Sequence, residues 1–452
     1  MSAIVNLLPS LALRARWLGT ALCALPRLAG IALNNINGPG SYAERLAAAF
    51  QTAEAQRDAL SVLRGLCPNL VIGKSLMTCY ANTGTAVVTR DADVRDVLLR
   101  DADFEVVYAP RMATITDGDN FFLGMQPTGR YQRDVSLMRT VARRDDIASR
   151  VKPFVDSAAR DIVAACGGRL DVPAELTLPV PARMVGDYFG LPGPDEASTI
   201  DWTTTLFWFL FADLAADPAL SARAEAVATR YRSYIDGVVR ERSAAPTHHD
   251  DLVDRCLALG DRTPGLDPTE IRNNLIGLLI GAVPTNSKAA VFALDWLLDH
   301  PAALAGAQAA ARDGNDALLA NHLWEALRFN PFSPVVYRRA LHDTRVASGT
   351  LREQRIPKGT LVFLATASAM SDPQRVESPG EFRSDRPFEV YMHWGYGLHT
   401  CFGDHLNRVT IPGMLKPLLA QKNLRRAAGN PGRLDSGGTP FPQHLHVEFD
   451  PR

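Results

Sequence analysis

The segment His393-Trp-Gly-Tyr-Gly-Leu-His-Thr-Cys-Phe-Gly-Asp-His-Leu406 holds the residues best suited to chemistry in this chain of 452 residues. A single cysteine, Cys401, stands between a glycine-rich loop (Gly395, Gly397) and the start of a predicted helix at Gly403 and Asp404. Glycines carry no Cβ, so the loop backbone can take positive φ and lie close against a flat surface. N–H groups at a helix start face the sulfur and favour its thiolate form. One thiolate beneath a wide flat surface is what a haem iron takes as an axial ligand. A second pair, Glu325 and Arg328, lies three residues apart, on one face if the segment is helical. Such pairs usually sit in water and add little.

These residues need elements to hold them. The longest helical pattern spans residues 267–299: Asp267 can cap, Pro268 suits the first helical position, Glu270 falls where a capping box puts its carboxylate, and His300-Pro301 ends it. About 32 residues at ~1.5 Å each make a rod of roughly 48 Å. Its middle, Leu275-Ile-Gly-Leu-Leu-Ile-Gly-Ala282, is apolar all round, which predicts burial. Helices are also predicted over 42–66, 92–99, 153–165, 218–243 with Asp217 as cap, and 249–259, and a strand over 85–89. Thr114, Thr116, Asp117, Gly118, Asp119 and Asn120 predict a long loop over 108–126. After Arg339 the pattern turns strand-like, at 345–348, 354–357 and 360–364. The fold class is mainly α with a smaller β-rich part.

The charges nearly cancel, 48 Lys and Arg against 49 Asp and Glu, which gives no overall electrostatic case for nucleic acid. Six cysteines without a C-x-x-C pair argue against a zinc site or a disulfide framework and suit a reducing cytoplasm. Residues 1–38 are apolar but broken by Arg14, Arg16, Arg27, Pro9 and Pro26, and their uncharged stretches fall well short of the ~20 residues a bilayer needs. They read as a leader or as a helix packed on the body, with a membrane-surface helix as the alternative. The chain is expected to be cytoplasmic, or peripheral to a membrane through these residues.

With these residues in place the sequence resembles the cytochrome P450 superfamily in its bacterial form. The signature F/W-G-x-G-x-H/R-x-C-x-G is filled at every constrained position from Trp394 to Gly403. The resemblance covers roughly residues 40–450 and is densest from Asp267 onward. It implies a triangular single-domain haem-thiolate fold over 39–452 and haem b held by the Cys401 thiolate. Trp394 then packs beside the sulfur, Gly395 and Gly403 shape the loop, and His399 hydrogen-bonds a haem propionate. Glu325 and Arg328 become a buried E-x-x-R pair, with Arg386 as third member from a meander at Asp372-Pro373, Glu377, Pro379, Phe382 and Asp385-Arg386-Pro387. Three buried charges need one another, since an unpaired one is costly. The resemblance also implies Arg338, in preference to Arg339, as a strand-borne partner of one propionate. Arg133, with Arg130 as the alternative, on a helix over 127–139, is the implied partner of the other.

One position departs from the family. Where most P450 monooxygenases carry A/G-G-x-D/E-T, this chain reads Gly281-Ala282-Val283-Pro284-Thr285-Asn286. Thr285 fills the alcohol position and Pro284 the acid position. In the family the acid and alcohol deliver protons that let the O–O bond break, and proline can neither donate nor relay one. Pro284 also removes a helix hydrogen bond and crowds the Ile280 carbonyl, which predicts a kink whose freed carbonyl Thr285, Asn286 or water satisfies.

Two mechanisms follow from the resemblance. One is O2 activation with electrons from a separate ferredoxin or flavoprotein, protons coming through Thr285, Asn286 and water. It takes an apolar small molecule and has a place in secondary metabolism. The other is the peroxide chemistry of fatty-acid peroxygenases and hydroperoxide isomerases, which need no reductase. The first is preferred because Thr285 is kept. A non-catalytic haem-binding sensor is a third reading. The implied substrate-facing positions are 114–122, Leu278, Gly281, Ala282, Thr285 and 439–441, mostly apolar. Phe207, Trp208, Phe209 and Phe211 read as core or pocket lining, and His444-x-His446 lacks a third metal ligand in the sequence.

Overall fold

The computed structural model describes residues 2–38, 41–50, 52–245, 249–260 and 262–450. It divides into two compact units. The first comprises Met1–Leu76, Ala81–Glu105 and Trp324–Thr400; the second comprises Met77–Tyr80, Val106–Leu323 and Cys401–Arg452.

In the first unit the helix Ser2–Asn34 lies along Ala53–Leu66. Trp17, Ala21 and Ala24 are buried there. A Cβ on Gly65 would come within 2.7 Å of the Trp17 carbonyl oxygen, so the close approach needs glycine. Trp17 Nε1 donates to Asp372 at 2.7 Å, and the Arg90 guanidinium lies 3.5 Å from the indole centroid. The helical pattern over 42–66 is two helices, Tyr42–Ala49 and Ala53–Leu66. Thr52 interrupts it by capping the second, its hydroxyl accepting from Ala55 N–H at 3.3 Å. A five-stranded sheet runs in the order β1 (Asn69–Ile72), β2 (Gly84–Val88), β8 (Thr360–Leu364), β5 (Val336–Ala340), β3 (Phe104–Glu105), where only β2 and β8 are parallel. A separate hairpin pairs β6 (Thr344–Val346) with β7 (Gln354–Ile356).

The second unit corrects the loop expected over 108–126. Ala109–Thr116 is a helix and Phe122–Gly124 a 3-10 turn. Pro110 suits a first helical turn, and Met112 and Ile115 are fully buried three residues apart. The hydroxyls of Thr114 and Thr116 bond back to the carbonyls of Pro110 and Met112. The polar cluster is therefore the end of this helix, where Asp117 and Gly118 take φ of 65° and 90°. Helices Lys152–Ala165, Pro218–Ala244 and Leu252–Gly260 follow. A three-stranded sheet orders β4 (Arg169–Asp171), β10 (His446–Asp450), β9 (Lys422–Arg426).

The pattern over 267–299 is two helices, Pro268–Ala282 and Pro284–Leu298, rather than one rod. Asp267 caps the first, accepting from Glu270 N–H at 2.9 Å. Val283 interrupts them with φ −94° and ψ −66°. The carbonyls that take side-chain donors are those of Gly281, from the Thr285 hydroxyl, and Ala282, from Asn286 Nδ2 at 2.8 Å. A side chain on a helix reaches the carbonyl four residues back, so residues 285 and 286 serve 281 and 282 and not Ile280. The span is long and apolar enough to cross a membrane, and 78% of its apolar window is buried inside the protein, as in a core helix.

Candidate active site

In the first unit, Glu325 and Arg328 lie one turn apart on the helix Asp316–Phe329, and neither side chain has exposed surface. Arg328 Nη2 and Nε donate to the two carboxylate oxygens at 2.7 and 3.0 Å, and Arg386 Nε donates at 3.0 Å. The Tyr391 hydroxyl at 2.9 Å and the Arg383 N–H at 3.1 Å complete the set. The guanidiniums turn their remaining donors to carbonyls. Arg328 reaches Pro379 and Glu381 at 2.8 and 3.1 Å, and Arg386 reaches Glu377 and Ser378 at 2.6 and 2.9 Å. Burial pushes the Glu325 carboxyl up, but Arg328 and then Arg386 outweigh it and hold it below its ordinary value. Residues 377–386 are thereby pinned to the helix.

The signature loop extends from this cluster. His393 Nε2 lies 2.9 Å from the Trp324 carbonyl, and burial lowers its pKa to about 4. Trp394 stacks on Phe388 with centroids 5.6 Å apart and meets Trp324 edge-on at 5.1 Å. Gly395 and Gly397 take φ of 77° and 76°. A Cβ on Gly397 would lie 2.6 Å from the Leu98 carbonyl oxygen, so this approach also requires glycine. On β5 alternate residues face opposite ways. Arg338 is buried, whereas Arg339 bonds Glu105 at 2.7 Å and the Ala81 carbonyl at 2.9 Å. Burial, helped by the Arg338 charge, lowers the His399 pKa to about 4, which keeps the ring neutral.

In the second unit, Cys401 stands two residues before Gly403, which begins the helix Asp404–Leu419. Burial pushes its thiol up to about 11, with the Gly403 N–H pulling against it. A thiolate here needs a cation beside it, a condition that a bound iron would meet. Asn407 Nδ2 lies 4.0 Å from the sulfur. Asn407 Oδ1 accepts from Asn286 Nδ2 at 3.1 Å, and Thr410 Oγ1 donates to Asn286 Oδ1 at 2.6 Å. A chain of neutral amides thus joins the central helix to the cysteine.

Between residues 273 and 294 of that helix pair, Gly281, Thr285, Lys288 and Phe292 are left partly open while their neighbours are buried. Their spacing of four, three and four residues places them on one line. A Cβ on Gly281 would meet nothing within 4 Å. At Gly281 this line faces open space, as a wall beside a flat cofactor would need to. Within the second unit, the soft sulfur donor of Cys401 and the partly open line of the central helix fit a haem.

Other expected residues fall as follows. Ala282, Pro284 and Asn286 are buried at the helix break. Arg133, expected to face a propionate, instead engages Asp134 at 2.8 Å and Glu270 at 3.0 Å. Arg130 is bidentate to Asp119 at 2.9 Å. Each has a carboxylate to neutralise it. Phe209 is core beneath Arg111, whereas Phe207 and Phe211 join a row of rings. The pairing of β10 with β4 supplies Asp171 to His444, Oδ2 to Nδ1 2.6 Å, so His444 and His446 do have an acidic neighbour that the sequence did not reveal. Sequence reasoning missed Tyr391, Asn407, Thr410 and Lys288. Asn407 was the most findable, since six residues beyond Cys401 is just over a turn into the following helix.

A family model described as Cytochrome P450 matches residues 72–421. Among curated proteins, the chain is 28% identical over 328 residues to Cyclomarin C epoxidase CymV of Salinispora arenicola, covering 72% of this chain and 78% of that one. It is 29% identical over 236 residues to a bifunctional dioxygenase-epoxy alcohol synthase of Fusarium oxysporum, covering 46% of this chain and 18% of that one. Among solved structures, P450BioI in complex with an acyl carrier protein ligated to hexadec-9Z-enoic acid aligns with a TM-score of 0.74 at 19% identity, over 88% of this chain and 99% of that one. That likeness is one of fold.

Proposed function

The chain belongs to the cytochrome P450 family and is an oxidoreductase of its monooxygenase kind, and we propose that it inserts one oxygen atom from O2 into an apolar small molecule with electrons from a separate ferredoxin or equivalent donor. The observation that carries this reading is the filled signature from Trp394 to Gly403, which sets the half-buried Cys401 just before the start of a helix. A haem held here would supply the redox chemistry. Cys401 would hold it as a thiolate, favoured by the Gly403 N–H and by Asn407. Gly395 and Gly397 would let the loop backbone approach a flat ring, and Trp394, fixed by Phe388 and Trp324, would pack beside the sulfur. Neutral His399 and cationic Arg338 are the propionate partners; Arg339 is already committed to Glu105. The Glu325, Arg328 and Arg386 set holds the meander without touching substrate.

On the substrate side, Thr285 keeps its hydroxyl on the Gly281 carbonyl, and Pro284 offers no proton. Proton delivery therefore runs through the Thr285 hydroxyl and water. The site of action is the cytoplasm.

A second reading rests on Pro284 itself. Without an acid at this position an oxidant that arrives already reduced, a peroxide or a lipid hydroperoxide, removes the need for a reductase. The likeness to a protein named for dioxygenase and epoxy alcohol synthase activities supports it. Turnover of a fatty-acid and aromatic panel under NAD(P)H with surrogate ferredoxin partners, set against turnover under hydrogen peroxide, tests both. Product only with the electron donor supports O2 activation; product only with peroxide overturns it in favour of the second reading.

A further inference from the structure

Lys288 is the one cation on the open line Gly281, Thr285, Lys288, Phe292. It sits one turn beyond Thr285, about 4.5 Å further along the helix axis. Its Nζ lies 5.2 Å from the Phe292 ring centroid and 5.8 Å from that of Phe441. Phe441 meets Phe207 edge-on at 6.0 Å, Phe207 tilts against Phe211 at 4.7 Å, and Phe211 meets Tyr108 at 4.8 Å. Phe207, Phe211 and Tyr108 are each partly open. An ammonium group thus stands at one end of a row of aromatic rings.

Burial lowers the Lys288 pKa to about 8, although its side chain keeps some accessible surface. The two facts agree if that surface opens into an internal space and not to bulk water. At neutral pH the amine is still mostly protonated. Ring faces stabilise such a cation in part, and the ammonium stands on the partly open line one turn beyond Thr285, between the Phe292 and Phe441 rings.

We propose that the Lys288 ammonium anchors a carboxylate at one end of an otherwise apolar substrate, whose body lies along Phe292, Phe441 and Phe207. This rests on reading the open line of the central helix as the substrate face of a P450 monooxygenase. A carboxylate is favoured over a phosphate because one lysine matches a monoanion, whereas a dianion calls for several donors. Rings along the wall suit an acyl chain or an aromatic acid, and both carry the same anchor.

The test is calorimetric titration of the haem-loaded enzyme with two matched pairs, dodecanoate against 1-dodecanol and 4-phenylbutyrate against 4-phenyl-1-butanol. The wild type is expected to prefer at least one acid over its alcohol by about 10- to 100-fold. Lys288→Met is expected to abolish that preference while leaving the alcohol's affinity within about threefold and the reduced CO spectrum unchanged. Lys288→Arg is expected to retain most of it. The favoured pair identifies the apolar body. Equal affinity for acid and alcohol in both pairs, failure of both acids to bind, or a preference that survives in Lys288→Met overturns the proposal. Binding is read without turnover, so a preferred acid that is never oxidised under either oxidant system would count against the oxygen-insertion reading and not against the anchor.

Discussion

Around Glu325 the first unit buries full charges and meets them with charges: two guanidiniums, a tyrosine hydroxyl and a backbone N–H converge on one carboxylate. Around Thr285 the second unit buries neutral hydroxyls and amides, which turn back on their own helix or reach across to the cysteine helix. The first arrangement depends on its carboxylate, because removing Glu325 strands two buried guanidiniums. The second can lose one bond and still pack. Scaffold and tuning thus differ in chemistry, and substitutions should divide accordingly.

The largest effect is expected at the charge cluster. Glu325→Ala leaves two guanidiniums buried without their carboxylate, at about 3–5 kcal/mol. Thermal unfolding together with Soret absorbance per unit protein should show little haem-loaded enzyme; near-normal loading would mean that the cluster is not the scaffold. The same group sets an acid limit. Its folded pKa lies below its unfolded one, so its stabilisation is complete above the unfolded value and is lost as pH falls through the folded one. Urea midpoints recorded from pH 6 down to pH ~3 should fall in the wild type and fall less steeply in Glu325→Gln, whose starting stability is lower.

Next comes the helix break. Restoring an acid with Pro284→Glu should raise product formed per electron supplied by about tenfold or more if proton delivery is what the proline withholds. An unchanged ratio would separate the break from proton supply. Smaller again is the amide chain. Asn407→Leu removes a donor 4.0 Å from the sulfur and should lower the haem reduction potential by about 20–60 mV. Asn286→Leu acts only by positioning Asn407, so its shift should have the same sign and be smaller. A larger shift from Asn286→Leu would reverse that order.

The contrast also explains what could be read from the sequence. Cys401 with its glycines is a local pattern whose spacing carries the chemistry, whereas the spacing of Glu325 and Arg328 alone reads as a surface pair and its burial is implied only by the resemblance. The Asp267 cap and strands β2, β6, β7 and β8 are local too, and the structure has them within a residue or two. The helix Ala109–Thr116 was hidden because threonines that bond back to carbonyls look like loop residues. The rod over 267–299 was overdrawn because the consequence of Pro284 depends on which carbonyls residues 285 and 286 can reach. Asn286 and Asn407 are 121 residues apart, Glu325 and Tyr391 66. No window of sequence shows such pairs. Arg133 turned to Glu270 for the same reason: its partner lies 137 residues away.

The central claim is that Cys401 is the thiolate ligand of a bound haem. The reduced, CO-treated difference spectrum of the purified protein tests it directly. A strongly red-shifted Soret band in the wild type, lost in Cys401→Ser, is the expected result. A wild-type spectrum without that shift, or its persistence in Cys401→Ser, would contradict the account.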